Sequence, residues 1–99
     1  MSSLEVACSL MPAELQARRR NLLSRLRSAV SEVTELNDGF SYRFASDALL
    51  PEIGALIQLE HQCCPFLTFG LTVESGAGAV LLEMTGPEGT KAFLADVFC

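Results

Sequence analysis

Glu60-His61-Gln62-Cys63-Cys64-Pro65-Phe66 joins a segment of helical periodicity to one of strand periodicity. Upstream, Leu49, Ile53, Leu56 and Ile57 recur at three- and four-residue spacing, and Glu60 continues that stripe. Downstream, Leu67, Phe69, Leu71 and Val73 alternate with Thr68, Gly70, Thr72 and Glu74, the period of a strand with one packed face. Pro65 disfavours helical geometry at Cys64, so the helix ends there. The same short stretch holds the only histidine and two of the four cysteines.

Outward from this corner, the helix is expected from about Ala48 to Cys63. Ser46 or Asp47 can cap it, and Pro51 falls in its first turn, where proline is tolerated. Before it, Glu32 to Leu36 and Phe40 to Ala45 read as strands joined by Asn37-Asp38-Gly39, a strong hairpin turn signal. Phe40, Tyr42 and Phe44 share one face of the second strand. A first helix runs from Pro12 to about Ser31 on the stripe Leu15, Leu22, Leu23, Leu26 and Val30. Met11 stands at its capping position and offers no side-chain oxygen, which leaves either a frayed start or Ser9 as a substitute cap. Residues 1–11 read as a loosely held arm or a short extended segment, Leu4 to Leu10, that carries Cys8.

Beyond the corner, Phe66 to Glu74 is the third strand, Ser75-Gly76-Ala77-Gly78 a flexible connection, and Ala79 to Thr85 the fourth strand. Val80, Leu82 and Met84 share a face of the latter. Gly86-Pro87-Glu88 opens a last helix whose packing face is Phe93, Leu94, Val97 and Phe98. The expected architecture is a single two-layer α+β domain over residues 1–99, in the order α-ββ-α-ββ-α. Its four-stranded mixed sheet of two hairpins carries helices mainly on one face. The middle helix is expected to act as a right-handed crossover, with strands two and three parallel.

Composition narrows the function classes. A hydrophobic fraction of 49% and a charged fraction of 19% over 99 residues fit a folded chain able to build a core without disulfide staples. The net charge of −5 disfavours nucleic-acid binding, which depends on neutralising phosphates. No charged leader precedes an apolar run, and no segment approaches the roughly 18 to 20 apolar residues that span a bilayer. A cytoplasmic protein with reduced thiols and no membrane partner is expected. Five of the seven basic residues (Arg18, Arg19, Arg20, Arg25 and Arg27) fall between positions 18 and 27. A solvated helix face is the plain reading of that window, and an anion- or partner-binding face the alternative.

The pattern Glu60-x-x-Cys63-Cys64-Pro65-Phe66-Leu67-x-Phe69-x-Leu71 resembles a family of small, largely uncharacterised bacterial proteins. The likeness extends to Leu10-x-Pro12-x-Glu14-Leu15, to Arg18 or Arg19, to Asp38-Gly39-Phe40 and to Gly86-Pro87-Glu88-Gly89-Thr90-Lys91, and so covers most of the chain. Met11 departs from it, because the similar proteins carry Thr or Ser there. The resemblance implies thiol or metal chemistry and names no reaction.

At the corner itself, two readings compete. Free cysteines pack well in cores, and a helix-to-strand corner needs small apolar side chains. Alternatively, Cys63 and Cys64 bind a soft metal or metalloid, zinc or another thiophilic ion, with Cys8, His61 or Glu60 as further ligand. On a regular helix the two side chains would point about 100° apart, so convergence requires Cys64 to leave helical geometry. A Cys63–Cys64 disulfide would be strained, since neighbouring Cα atoms lie only about 3.8 Å apart. A thiol-redox role is therefore a weaker third possibility. The helix C-terminus also disfavours a thiolate. Arg19 and Glu60 both fall on apolar stripes, and a structural ion pair between them satisfies both. His61, at the stripe's border, reads more readily as a surface residue than as a ligand, and Cys99 as a terminal residue outside any site. One histidine and no nucleophile elbow leave no catalytic triad, and Gly86 to Lys91 lacks the phosphate-loop order. A binding or accessory protein is expected in preference to an enzyme, with a structural interaction module, as a homodimer or docked to a partner, as the alternative.

Overall fold

The computed structural model describes residues 12–76 and 78–98. The elements run α1 (Ala13–Ala29), β1 (Val30–Leu36), β2 (Gly39–Phe44), a short 3-10 turn (Asp47–Leu49), α2 (Leu50–Cys63), β3 (Thr68–Val73), β4 (Val80–Thr85) and α3 (Thr90–Phe98). The α-ββ-α-ββ-α order of the sequence reading is the order found. The N-terminal arm with Cys8, the alternative cap Ser9 and the C-terminal Cys99 lie outside the described residues.

Pro12 forms the N-cap of α1 and makes no side-chain cap bond, so the helix starts one residue later than the sequence suggests. It passes into β1 without a loop. The junction is a bulge between Val30 and Glu32, where Ser31 donates its hydroxyl to the Arg43 carbonyl at 3.1 Å. Ser46 accepts from the Ala48 amide at 3.4 Å and starts the turn that leads into α2. Pro51 then sits in the first turn of α2, where its missing N–H costs nothing.

The sheet order is β1-β2-β4-β3, and every neighbouring pair is antiparallel. This corrects the expected mixed sheet. β2 and β3 do point the same way, but β4 lies between them, so the α2 crossover skips one strand position. The physical reason is burial. β4 carries Val80, Leu82 and Met84, all buried, and the interior position gives these side chains apolar neighbours on both sides. Thr68, Gly70 and Thr72 of β3 tolerate the edge.

Register aligns three rows across the helix-covered face: Val30–Phe44–Val80–Val73, Val33–Tyr42–Leu82–Leu71 and Glu35–Phe40–Met84–Phe69. The middle of each row joins Leu23 and Leu26 of α1, Ile53 and Leu56 of α2, and Leu94 of α3 in one core. Phe66 meets Phe93 edge to face at 5.2 Å, which docks α3 against the corner after α2. Val97 and Phe98, expected on the same face, have side chains outside the described set.

Gly39 is needed for space. It has no positive φ; a Cβ there would lie 1.9 Å from the Met84 carbonyl oxygen. The Asn37-Asp38-Gly39 turn therefore makes the hairpin without a left-handed residue. Gly89, at φ 98°, does need the left-handed region, and it reverses the chain into α3.

Candidate functional site

The corner that ends α2 is built from backbone geometry first. Cys64 has φ −125° and ψ 76°, outside the helical region, while its amide still donates to the Glu60 carbonyl at 2.6 Å. The Cys64 carbonyl then accepts from Leu67 at 3.1 Å, closing a turn through Pro65 that aims the chain into β3. Both cysteines are inside the core: Cys63 is buried and Cys64 fully so. This burial is what the packing interpretation of the pair requires.

Arg19 of α1 reaches across to Glu60 of α2. Its Nε donates to Glu60 Oε1 and its Nη2 to Oε2 at 3.4 Å, a two-pronged ion pair. Glu60 is only 2% exposed, so its charge rests on this partner, whereas Arg19 at 19% keeps an outlet to solvent. Glu60 Oε2 also lies 3.4 Å from Cys64 Sγ. One carboxylate thus touches both the guanidinium and the sulfur.

The two sulfurs differ in state. Cys63 carries a thiol, whereas Cys64 is disulfide-bonded. The expectation of reduced thiols throughout is corrected at this position. A disulfide sulfur has no proton, so its approach to Glu60 is a contact in this state and becomes a hydrogen bond only after reduction.

His61 is exposed, whereas Cys63 and Cys64 are buried. Among the described residues, no group of three His, Cys, Asp or Glu side chains is placed to hold a metal ion. Cys8, the remaining candidate ligand, lies outside them. Among the described residues, the Cys63 thiol, a disulfide-bonded Cys64 and an arginine-bound carboxylate fall short of the four donors of a structural zinc site.

The other concavities carry less chemistry. One of about 470 Å³ at the start of α3 is lined by Asp38, Glu88, Thr90 and Lys91. Its only cation, Lys91, pairs with Glu35, and the acidic neighbours oppose an anion. Along α1, Arg18 and Arg25 border a groove of about 650 Å³, with Arg25 3.5 Å from Glu52. The arginine window therefore divides: Arg19 points inward, and Arg18, Arg20 and Arg25 are exposed.

The sequence reading missed the state of Cys64, because a disulfide leaves no local sequence pattern. It also missed Leu59, which is buried beside the stripe. No helix among the described residues is long and apolar enough to cross a membrane. No family model, curated protein or solved structure matches the chain.

Proposed function

We propose that this chain is a thiol-based binding protein whose Cys63–Cys64 pair captures a thiophilic metal or metalloid ion once Cys64 is reduced. The observation that carries the reading is the pair itself, one thiol and one disulfide sulfur on adjacent residues beside the buried Glu60 carboxylate. Reduction by an external dithiol cleaves the Cys64 bridge. Two electrons and two protons pass to the bridged sulfurs, and the reductant leaves as its own disulfide. Cys63 and Cys64 are then both thiols, and each loses a proton when it ligates. The non-helical backbone at Cys64 frees its side chain from the helical spacing that would keep the pair apart. Two thiolates suit Cu(I) or Hg(II), ions that accept low coordination by sulfur, better than zinc. Cys8 is the further donor for an ion that requires three. The resemblance to small bacterial proteins with the same Glu-x-x-Cys-Cys-Pro-Phe pattern belongs to this proposal.

A second reading, a structural interaction module, is favoured by the burial of both cysteines within the core. One titration separates them. Reduced protein and Cys63→Ser/Cys64→Ser are titrated with Cu(I), Hg(II), As(III) and Zn(II) against a competing chelator. The binding reading expects stoichiometric uptake of a soft ion by the reduced protein alone, with none by the oxidised protein. Equal affinity for the double variant leaves the structural module as the function.

A further inference from the structure

The two edges of the sheet are built differently. β1, Val30–Leu36, carries Glu32 and Glu35, and Lys91 of α3 holds Glu35 at its rim. Charged residues on an edge strand oppose pairing with another chain. β3, Thr68–Val73, contains no charge and no proline, and has no strand on its outer side among the described residues. Leu71 is 44% and Val73 48% exposed, although both lie in rows whose central members, Leu82 and Val80, are fully buried. They continue the core face past the point where the helices cover it. The one charge just beyond the strand, Glu74, is bonded to Arg43 at 2.9 Å.

We propose that β3 is a self-association edge, where a second copy of this chain pairs antiparallel through β3 to form a continuous eight-stranded sheet. Side-chain alternation selects the register. Apolar residues of both copies share a face only if residues of equal parity stand opposite one another. A two-fold axis through Leu71 meets this condition: Leu71 faces its own copy, Phe69 faces Val73, and Thr68 faces Glu74. No like charges stand opposite each other, even though each chain carries a net charge of −5. Such a contact is isologous and closes at two copies. Pairing through β1 would instead gather four glutamates into one ribbon. The axis stands normal to the sheet, so both helix layers lie on the same side, and the exposed Leu71 and Val73 of each copy form a strip between them. This surface does not depend on the thiol chemistry proposed above.

Sedimentation velocity from micromolar to millimolar protein, with and without dithiothreitol, tests the edge. The wild-type chain is expected to shift from monomer to dimer with concentration, equally in both buffers. Leu71→Lys places two ammonium groups opposite each other and is expected to stay monomeric, with an unchanged circular dichroism spectrum. Val33→Lys, at an equally exposed position on the other edge, is expected to dimerise as the wild type does. A wild-type chain that stays monomeric throughout overturns the proposal, as does a dimer abolished by dithiothreitol. Equal behaviour of the two variants, or loss in Val33→Lys alone, also overturns it.

Discussion

Arg19 and Glu60 hold each other with two hydrogen bonds across the α1–α2 contact, and the same Glu60 oxygen that faces Arg19 Nη2 lies 3.4 Å from the sulfur of Cys64. Helix packing and the cysteine corner are therefore coupled through one carboxylate. Shifting α1 along α2 would strip the guanidinium from Glu60 and leave a buried charge.

Glu60→Gln is expected to destabilise the fold by about 3 kcal/mol, the lower end for a broken buried pair because Arg19 retains access to water. Urea unfolding measures this as a lower midpoint at constant slope. Replacing both residues together, Arg19→Met with Glu60→Met, is expected to recover most of the loss, since two apolar side chains need no partner. An unchanged midpoint for Glu60→Gln would show that the pair does not hold the helices.

Gly39→Ala is expected to cost roughly 1 to 3 kcal/mol, the usual penalty for forcing atoms into a packed space. Its Cβ would collide with the Met84 carbonyl, which belongs to β4's rigid backbone. Thermal unfolding of this variant against Gly54→Ala gives the contrast. Nothing lies within 4 Å of a Cβ at Gly54, and in a helix the change to alanine is expected to stabilise by about 0.5 to 1 kcal/mol.

Leu56→Ala is expected to lose roughly 2 to 5 kcal/mol, because Leu56 is fully buried between α2 and the sheet and its removal leaves a cavity. Leu71→Ala, on the open edge, should shift the unfolding midpoint of a dilute sample by no more than about 0.5 kcal/mol. Similar losses at both positions would mean that β3 is covered in solution even when dilute.

Arg43–Glu74 joins β2 to the end of β3 at 2.9 Å, but both side chains are about two-fifths exposed. Glu74→Gln is expected to change stability by under about 0.5 kcal/mol, and 0.5 M salt should erase the difference. Unfolding curves at two ionic strengths check this.

Much of the corner is legible before any coordinates. The stripe through Ile53 and Leu56 places Glu60 on the buried side of α2, and the corresponding stripe through Leu22, Leu23 and Leu26 places Arg19 on the facing side of α1. Pro65 marks the helix end, and the alternation in β2 and β4 marks Tyr42, Phe44, Leu82 and Met84 as core. These signals are local, since helical and strand periods are written in a few consecutive residues. The alternation of β3 is equally clear, yet Leu71 and Val73 stay exposed, because burial depends on what stands beside a strand and over it.

The amino-acid sequence by itself determined the kind and order of the elements, the side of each that meets the core, and the place where α2 must stop. Only the tertiary structure decided that β4 separates β2 from β3, that β3 becomes an edge, and that Cys64 is bonded while Cys63 keeps its thiol. Each of these is a choice among partners distant in sequence. Strands of similar apolar pattern compete for the central position, and the winner is the one whose side chains gain the most burial from two neighbours, a quantity that exists only once the whole sheet is assembled.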